Sequence, residues 1–429
     1  MSQPPDSVDI DQSELDDVSK TYIVGLHNRT VLHALIGGAL QVILKSDDNG
    51  LDSEDTLDKH WDWVKERDNN GLDSGPEWCL GGYQAKLSES AIEDLKKREE
   101  VVDVVQDRFG TLDMNVNQPA NIASANNAPW NLQRLSSTAP LGQNADPAAL
   151  TFTYRRPEVA GLAAKPVHVY ILDTGIITNH QEFQGRQVFQ GPNYSQDQTN
   201  NHDTHGHGTH VAGTVGGNQC GVARNPGVRI TGVKVTTGHG LIDGGRAVRL
   251  SAVIRGLQWV SEQHRANPEV PAIINMSLRY VPGDDALDQF VDRVVAQDMH
   301  VVVSAGNAGQ DATSQSPARA RGALAVGGST IRDGLYVNSN FGPKVAIFAP
   351  GVGIVSAGIE TPAELVSKTG TSMASPLVAG TIAWLIQQEG NRPPQAMLQR
   401  LQELAGASGR VVAGVPANTT NQLIWNGVQ

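Results

Sequence analysis

From residue 130 onwards, short apolar runs alternate with stretches in which apolar residues recur at helical spacing. The apolar runs predict buried strands at Val167–Leu172, Ile230–Val235, Ala272–Met276, His300–Ser304 and Ala323–Val326. The amphipathic stretches predict helices at Arg246–His264 and Ala286–Gln297. Apolar strands that alternate with amphipathic helices indicate a parallel sheet sandwiched by helices, which is an α/β fold.

Residues 20–107 carry a different, mixed pattern. Short strands are predicted at Tyr22–Val24, Gly82–Leu87 and Val101–Val105, with a helix from about Ser90 to Glu99 that begins near a capping-box sequence. Helical spacing of Leu57, Trp61 and Val64 predicts another helix over Asp52–Arg67. Together these elements predict a small α+β unit.

Charge divides the chain near the same place as the hydrophobic pattern. Residues 1–116 hold 25 acidic and 11 basic residues, a net charge of −14, whereas the remaining residues carry +2. We therefore predict a disordered acidic tail at 1–19, an N-terminal domain at 20–107, a polar linker at 108–127 and a larger domain at 128–429.

Composition excludes several classes of protein. Nucleic-acid binding needs a basic face, and neither part of this chain is strongly basic. The first apolar stretch, Val31–Leu44, is too short to span a bilayer, so we expect no membrane partner. Two cysteines, Cys79 and Cys220, exclude a dense disulfide framework, and we expect Cys220 to be a small packing residue.

Three residues combine the side chains of acyl-transfer chemistry. Asp173 follows a predicted strand, His207 lies in a glycine-broken histidine segment, and Ser372 precedes a strongly apolar helix. Taken singly, Asp173 could be a turn residue and Ser372 a helix cap. The three histidines at 205, 207 and 210 could also bind a metal, although they lack the HExxH spacing of metallohydrolases.

The order Asp, His, Ser along the chain is that of subtilisin, and five ordered motifs extend the likeness. The chain resembles the subtilisin-like serine peptidases, most closely their proteinase K-like branch, over about residues 128–427. The matching motifs are Tyr170–Ile176, Gly206–Thr214, Ile274–Leu278, Val303–Asn307 and Gly370–Pro376.

The resemblance implies a serine endopeptidase with Asp173, His207 and Ser372 as catalytic triad and Asn307 as oxyanion donor. It implies that residues 20–107 are a ferredoxin-like inhibitory propeptide, removed by self-cleavage within the linker. The implied substrate-binding residues are Ser277, Leu278, Arg279, Tyr280, Ser304, Ala305 and Gly306.

Two departures from the family pattern change these expectations. Arg279 and Tyr280 stand where relatives usually have two glycines, so they could narrow the cleft or point away from it. Thr330 stands where proteinase K-like relatives often have a calcium-binding acid, which argues against a structural calcium there and leaves other places open. Leu377 replaces a common histidine, and we expect little effect.

We expect no required cofactor, a monomer, and protein or peptide substrates, with the propeptide as an intramolecular inhibitor. The resemblance implies a secreted or vacuolar location, although the first twenty residues lack the apolar run of a signal peptide. Two alternatives stay open at this point: a non-catalytic binding protein with the subtilisin fold, and a metallohydrolase built on the histidine cluster.

Overall fold

The computed structural model describes most of the chain after residue 127 and shorter stretches before it. The described ranges are 21–26, 56–62, 81–87, 89–98, 101–112, 115–119, 128–142, 144–156, 165–197, 199–238, 241–242 and 245–428. The predicted acidic tail at 1–19 lies outside them. The chain divides into two compact units, Met1–Arg108 and Phe109–Gln429.

The first unit contains a four-stranded antiparallel sheet with strand order β2-β3-β1-β4. Its elements are β1 Thr21–Leu26, β2 Thr56–Asp62, β3 Gly81–Lys86, helix α1 Glu89–Lys96 and β4 Val101–Gln106. Strand β3 lies between β1 and β2 and runs antiparallel to both, which is the strand arrangement of a split βαβ unit.

The prediction of a helix over Asp52–Arg67 is wrong for the part of that range that the structure describes. Thr56–Asp62 forms strand β2, whose Thr56 pairs with Lys86 and whose Trp61 pairs with Gly82 of β3. The ladder to β3 satisfies the backbone groups that a helix would have paired internally. The tertiary pairing therefore outweighs the local helical spacing.

The core of the second unit is a seven-stranded sheet in which every neighbouring pair of strands is parallel. Its order is β16-β15-β14-β12-β7-β9-β8. The strands are β7 Val167–Asp173, β8 Gln187–Asn193, β9 Val228–Lys234, β12 Ala272–Met276, β14 His300–Ser304, β15 Leu324–Ser329 and β16 Val345–Pro350. All five strands predicted from apolar runs are confirmed, and with them the α/β fold.

Helices and two small antiparallel sheets complete the second unit. The helices are α2 Trp130–Ser136, α3 His207–Gly216, α4 Leu250–Ala266, α5 Asp285–Val295, α6 Thr371–Glu389 and α7 Pro394–Ser408. One small sheet has the order β10-β11-β5-β13, from Leu241–Ile242, Gly245–Arg249, Phe109–Leu112 and Leu278–Arg279. The other has the order β17-β18-β6, from Ile354–Ala357, Leu365–Thr369 and Asn115–Pro119.

Helix α6 lies deep in the core of this unit. It is buried from Thr371 to Gln387, and its apolar side chains share one core cluster with Ile171 of β7 and Val302 of β14. This burial fixes the N-terminal end of α6 relative to the sheet. Within the described ranges, none of the helices has both the length and the apolar character needed to cross a bilayer.

A glycine in α6 tests how tightly this core is packed. A Cβ at Gly380 would lie 2.8 Å from Val222 Cβ and 3.0 Å from the Val215 carbonyl oxygen. We expect Gly380→Ala to lower the free energy of unfolding by about 1–3 kcal/mol, because overpacking outweighs alanine's helix preference.

Gly406 in α7 provides the matched control. It is exposed, and the nearest atom to a Cβ there lies 3.8 Å away. Gly406→Ala should raise the free energy of unfolding by about 0.5–1 kcal/mol. Guanidinium denaturation of both variants measures the difference, and equal effects would contradict the packing argument.

Candidate active site

The end of β7 and the start of α3 bring Asp173 and His207 together. The Nδ1 atom of His207 lies 2.7 Å from Oδ1 and 2.8 Å from Oδ2 of Asp173, and both residues are fully buried. A carboxylate can only accept hydrogen bonds, so Nδ1 carries a hydrogen atom and donates a hydrogen bond to Asp173. The lone pair of the ring is then on Nε2.

Glycine at position 208 lets α3 approach β7 this closely. A Cβ at Gly208 would meet the Gly175 carbonyl oxygen and would lie 3.2 Å from Asp173 Cβ. The Gly208 N–H donates to Thr174 Oγ1 at 2.9 Å, and the Thr174 N–H donates to Asp173 Oδ1 at 2.7 Å. The start of α3 is therefore bonded to the residue that follows β7, next to the Asp173–His207 pair.

Asp203 holds the start of α3 in place, and the sequence analysis missed it. Its buried carboxylate accepts hydrogen bonds from the N–H groups of His205, Gly206 and Thr209 at 2.8–2.9 Å, and from Thr209 Oγ1 at 2.7 Å. These bonds satisfy donors that a helix N-terminus leaves unpaired. An acid shortly before a helix start is a capping signal that could have identified it.

Ser372 lies in the first turn of α6, fully buried. Its hydroxyl donates to the Ser277 carbonyl oxygen at 3.2 Å. The Ser277 hydroxyl in turn donates to the Ser372 carbonyl oxygen at 3.1 Å, which joins the ends of β12 and α6. Among the described residues, Nε2 of His207 is buried and has no hydrogen-bond partner.

Asn307 presents an oriented amide donor beside the same helix start. Its Oδ1 accepts hydrogen bonds from the Thr371 N–H at 2.9 Å and from Thr371 Oγ1 at 3.0 Å. These two bonds fix the amide plane. Within the described part of the chain its buried Nδ2 has no partner, so this donor remains available to another acceptor.

These residues meet because of the topology of the parallel sheet. Asp173, Ser277 and Asn307 lie at or just after the carboxyl ends of β7, β12 and β14, which are neighbours in the sheet. After β7 the chain first forms β8 and β9 on one side of β7, and it later forms β12 and β14 on the other side. Reactive groups of open α/β folds gather at such a switch point.

A groove lined by two strand edges adjoins this cluster, and β5 lies in it. In this small sheet Leu112 pairs with Leu278, Thr111 with Arg279, and Gly110 with Val248 of β11. The pairing on both sides is antiparallel. The groove can therefore hold an extended peptide through backbone hydrogen bonds on either side.

Two of the predicted substrate-binding residues, Arg279 and Tyr280, lie beside this groove. Arg279 Nε donates to Thr111 Oγ1 at 3.2 Å, and the buried Tyr280 hydroxyl donates to the Val248 carbonyl oxygen at 3.0 Å. Neither of these side chains points away from β5.

Residues 304–306 link the carboxyl end of β14 to Asn307. Ser304 and Ala305 are buried, and Gly306 has a positive φ of 103°. A Cβ at Gly306 would meet the side chains of Gln315 and Asn340, so this segment is closely packed. Its role as a pocket wall stays a prediction.

Two residues that could have carried other chemistry are packing residues. His210 donates from Nε2 to the Ile354 carbonyl oxygen at 2.9 Å, and burial holds the pKa of its imidazole well below the usual range. Burial also raises the pKa of the Cys220 thiol well above its usual value, so this thiol is not an activated nucleophile. In the described residues, no three His, Cys, Asp or Glu side chains are grouped to hold a metal ion.

The capping role of Asp203 gives a stability prediction. Asp203→Ala leaves buried N–H groups without an acceptor and should lower the free energy of unfolding by about 1–3 kcal/mol. Asp197, an exposed residue whose carboxylate accepts hydrogen bonds from the N–H and the hydroxyl of Thr199, is the matched control. Guanidinium denaturation should show little change for Asp197→Ala, and an equally small effect of Asp203→Ala would refute the capping role.

Comparison with known proteins agrees with this geometry. The subtilase family model matches residues 164–420. Subtilisin-like protease 1 of Trichophyton tonsurans is 32% identical over 418 residues, covering 94% of this chain and 73% of that protein. The subtilase-type proteinase psp3 of Schizosaccharomyces pombe is 33% identical over 348 residues, covering 80% and 70%. A crystal structure of a cold-adapted subtilisin-like serine proteinase is 33% identical with a TM-score of 0.56, covering 70% of this chain and 99% of that one. The chain therefore belongs to the subtilase family and is a subtilisin-like serine endopeptidase.

Proposed function

We propose that this endopeptidase hydrolyses peptide bonds through a triad of Asp173, His207 and Ser372. The observation that carries the proposal is the buried Asp173–His207 pair, which leaves Nε2 of His207 without a partner among the described residues. In this arrangement Asp173 orients the imidazole and stabilises its protonated form during the reaction.

Ser372 is the proposed nucleophile. Its Oγ attacks the scissile carbonyl carbon while Nε2 of His207 takes the hydroxyl proton. The C–N bond then breaks as that proton passes to the leaving amine, which leaves an acyl-enzyme on Ser372, and water hydrolyses this ester with His207 again as the base. In the structure, the Ser372 hydroxyl donates to the Ser277 carbonyl oxygen. The proposed mechanism requires rotation about the Cα–Cβ bond of Ser372, which exchanges that acceptor for Nε2 of His207. Hydrogen bonds between catalytic groups commonly tighten only when substrate is bound.

The negative charge that develops on the carbonyl oxygen needs donors that are already in place. Asn307 Nδ2 is such a donor, because its Oδ1 is held by Thr371 and its orientation is fixed. The backbone N–H of Ser372, at the positive end of the α6 dipole, is the proposed second donor. The nucleophile, base and donors all come from the chain, so the proposed chemistry requires no cofactor.

We further propose that the chain is its own first substrate. Strand β5 is paired as an extended peptide with β13 and ends at Leu112, opposite Leu278 and next to Ser277. Strand β6 begins at Asn115, which pairs with Thr369, three residues before Ser372. The two residues that join these strands lie outside the described residues. Leu112 therefore ends next to Ser277 and Asn115 pairs three residues from Ser372, and these two contacts support a self-processing cut between Leu112 and Asn115 in the sequence.

Replacing the nucleophile should abolish both processing and hydrolysis. Ser372→Ala is expected to lower casein cleavage by at least about 10⁴-fold and to leave the chain at full length. Ser375→Ala, which removes the neighbouring buried hydroxyl, is the matched control and should still process. Mass spectrometry and N-terminal sequencing should find a new terminus among residues 113–115 in the wild type and in Ser375→Ala, but not in Ser372→Ala. A processed Ser372→Ala chain would refute the nucleophile.

Removing the oxyanion donor should affect turnover more than substrate affinity. We expect Asn307→Ala to lower kcat by roughly 10²–10³-fold with little change in KM, a magnitude taken from a subtilisin rather than derived for this chain. Asn307→Asp keeps an acceptor for Thr371 but loses the donor, so it should lose kcat to a similar degree. If Asn307→Asp kept the wild-type kcat, the donor role would be wrong.

A further inference from the structure

Gly110 lies in the groove that holds β5, at a position that leaves no space for a side chain. It is buried, and it pairs with Val248 on one side while its neighbour Thr111 pairs with Arg279 on the other. A Cβ at Gly110 would meet the Arg279 carbonyl oxygen and would lie 2.7 Å from Cε1 and 2.7 Å from Cζ of Tyr280. Carbon atoms in real side chains do not come so close, so even a methyl group does not fit without a shift.

The Tyr280 ring has little freedom to make that space. The residue is fully buried, and its hydroxyl donates to the Val248 carbonyl oxygen at 3.0 Å. Its backbone exchanges two hydrogen bonds with Ser316, at 2.8 and 3.2 Å. Tyr280 follows β13 and Val248 belongs to β11, so the ring reaches from one wall of the groove to the other.

We propose that Tyr280 closes the subsite that receives Gly110 and makes this endopeptidase selective for peptides with glycine at that position. The position lies two residues before the one that pairs with Leu278. The inference rests on the proposed function, in which a substrate peptide takes the place of β5. A larger residue there must displace the ring, break its bond to Val248, or give up the antiparallel pairing, and each of these weakens productive binding.

Two quenched fluorescent peptides test the selectivity. Both have the sequence of residues 108–117, one with glycine and one with alanine at position 110. We expect processed wild-type enzyme to cleave the glycine peptide with a kcat/KM at least about tenfold higher, because the methyl group has no space. Equal values of kcat/KM for the two peptides would overturn the proposal.

Variants at Tyr280 separate the ring from the rest of the groove. Tyr280→Gly removes the ring and should reduce the preference to within about threefold. Tyr280→Phe keeps the ring without its hydroxyl and should retain most of the preference. If the preference stayed the same in Tyr280→Gly, the Arg279 carbonyl oxygen would be its cause and the role of Tyr280 would be wrong.

A binding measurement on the wild type keeps the test independent of how the variants fold. Peptides of residues 105–112, with glycine or alanine at position 110, should inhibit casein cleavage with the glycine form at least about tenfold tighter. Equal inhibition by both peptides, with casein cleavage intact, would overturn this inference alone. Absence of casein cleavage would instead count against the proposed function.

Discussion

The buried pair between Asp173 and His207 is the interaction on which the rest of the site depends. A carboxylate without solvent contact is costly unless hydrogen bonds satisfy it, and here His207 Nδ1 and the Thr174 N–H do so. The pair also fixes which ring nitrogen keeps its lone pair. Gly208 and Asp203 act on this same pair, the first by permitting the close approach of α3 and the second by holding its start.

The groove that holds β5, which we propose binds substrate, also depends on how the main chain is placed. Its two walls, β11 and β13, pair with β5 through the main chain, so most of the affinity for an extended peptide is indifferent to side-chain identity. In the proposed function, specificity comes from the few places where side chains meet the bound strand. Tyr280 is such a place, since its ring lies where a Cβ at position 110 of β5 would point.

Sequence patterns predicted the large domain well because buried parallel strands leave continuous apolar runs, as Val167–Leu172 and His300–Ser304 do. The position of Asp173 after a strand was predictable for the same reason, and the apolar run after Ser372 predicted its place at a helix start. The sequence pattern did not predict that His207 begins a helix. The helix over Asp52–Arg67 was predicted wrongly because pairing with a distant strand decides that segment. The contact between Tyr280 and Gly110 joins residues far apart in sequence, and no local pattern contains it.

The most direct test of the account is the reactivity of the Ser372 hydroxyl and its dependence on His207. A fluorophosphonate should modify the processed wild-type enzyme at Ser372, located by peptide mass spectrometry. In His207→Ala, prepared by supplying the processed wild type in trans to cut the precursor, modification should be slower by about 10²–10⁴-fold, because the general base is absent. Modification of Ser372 at the same rate in both proteins, or of another residue instead, would contradict the account.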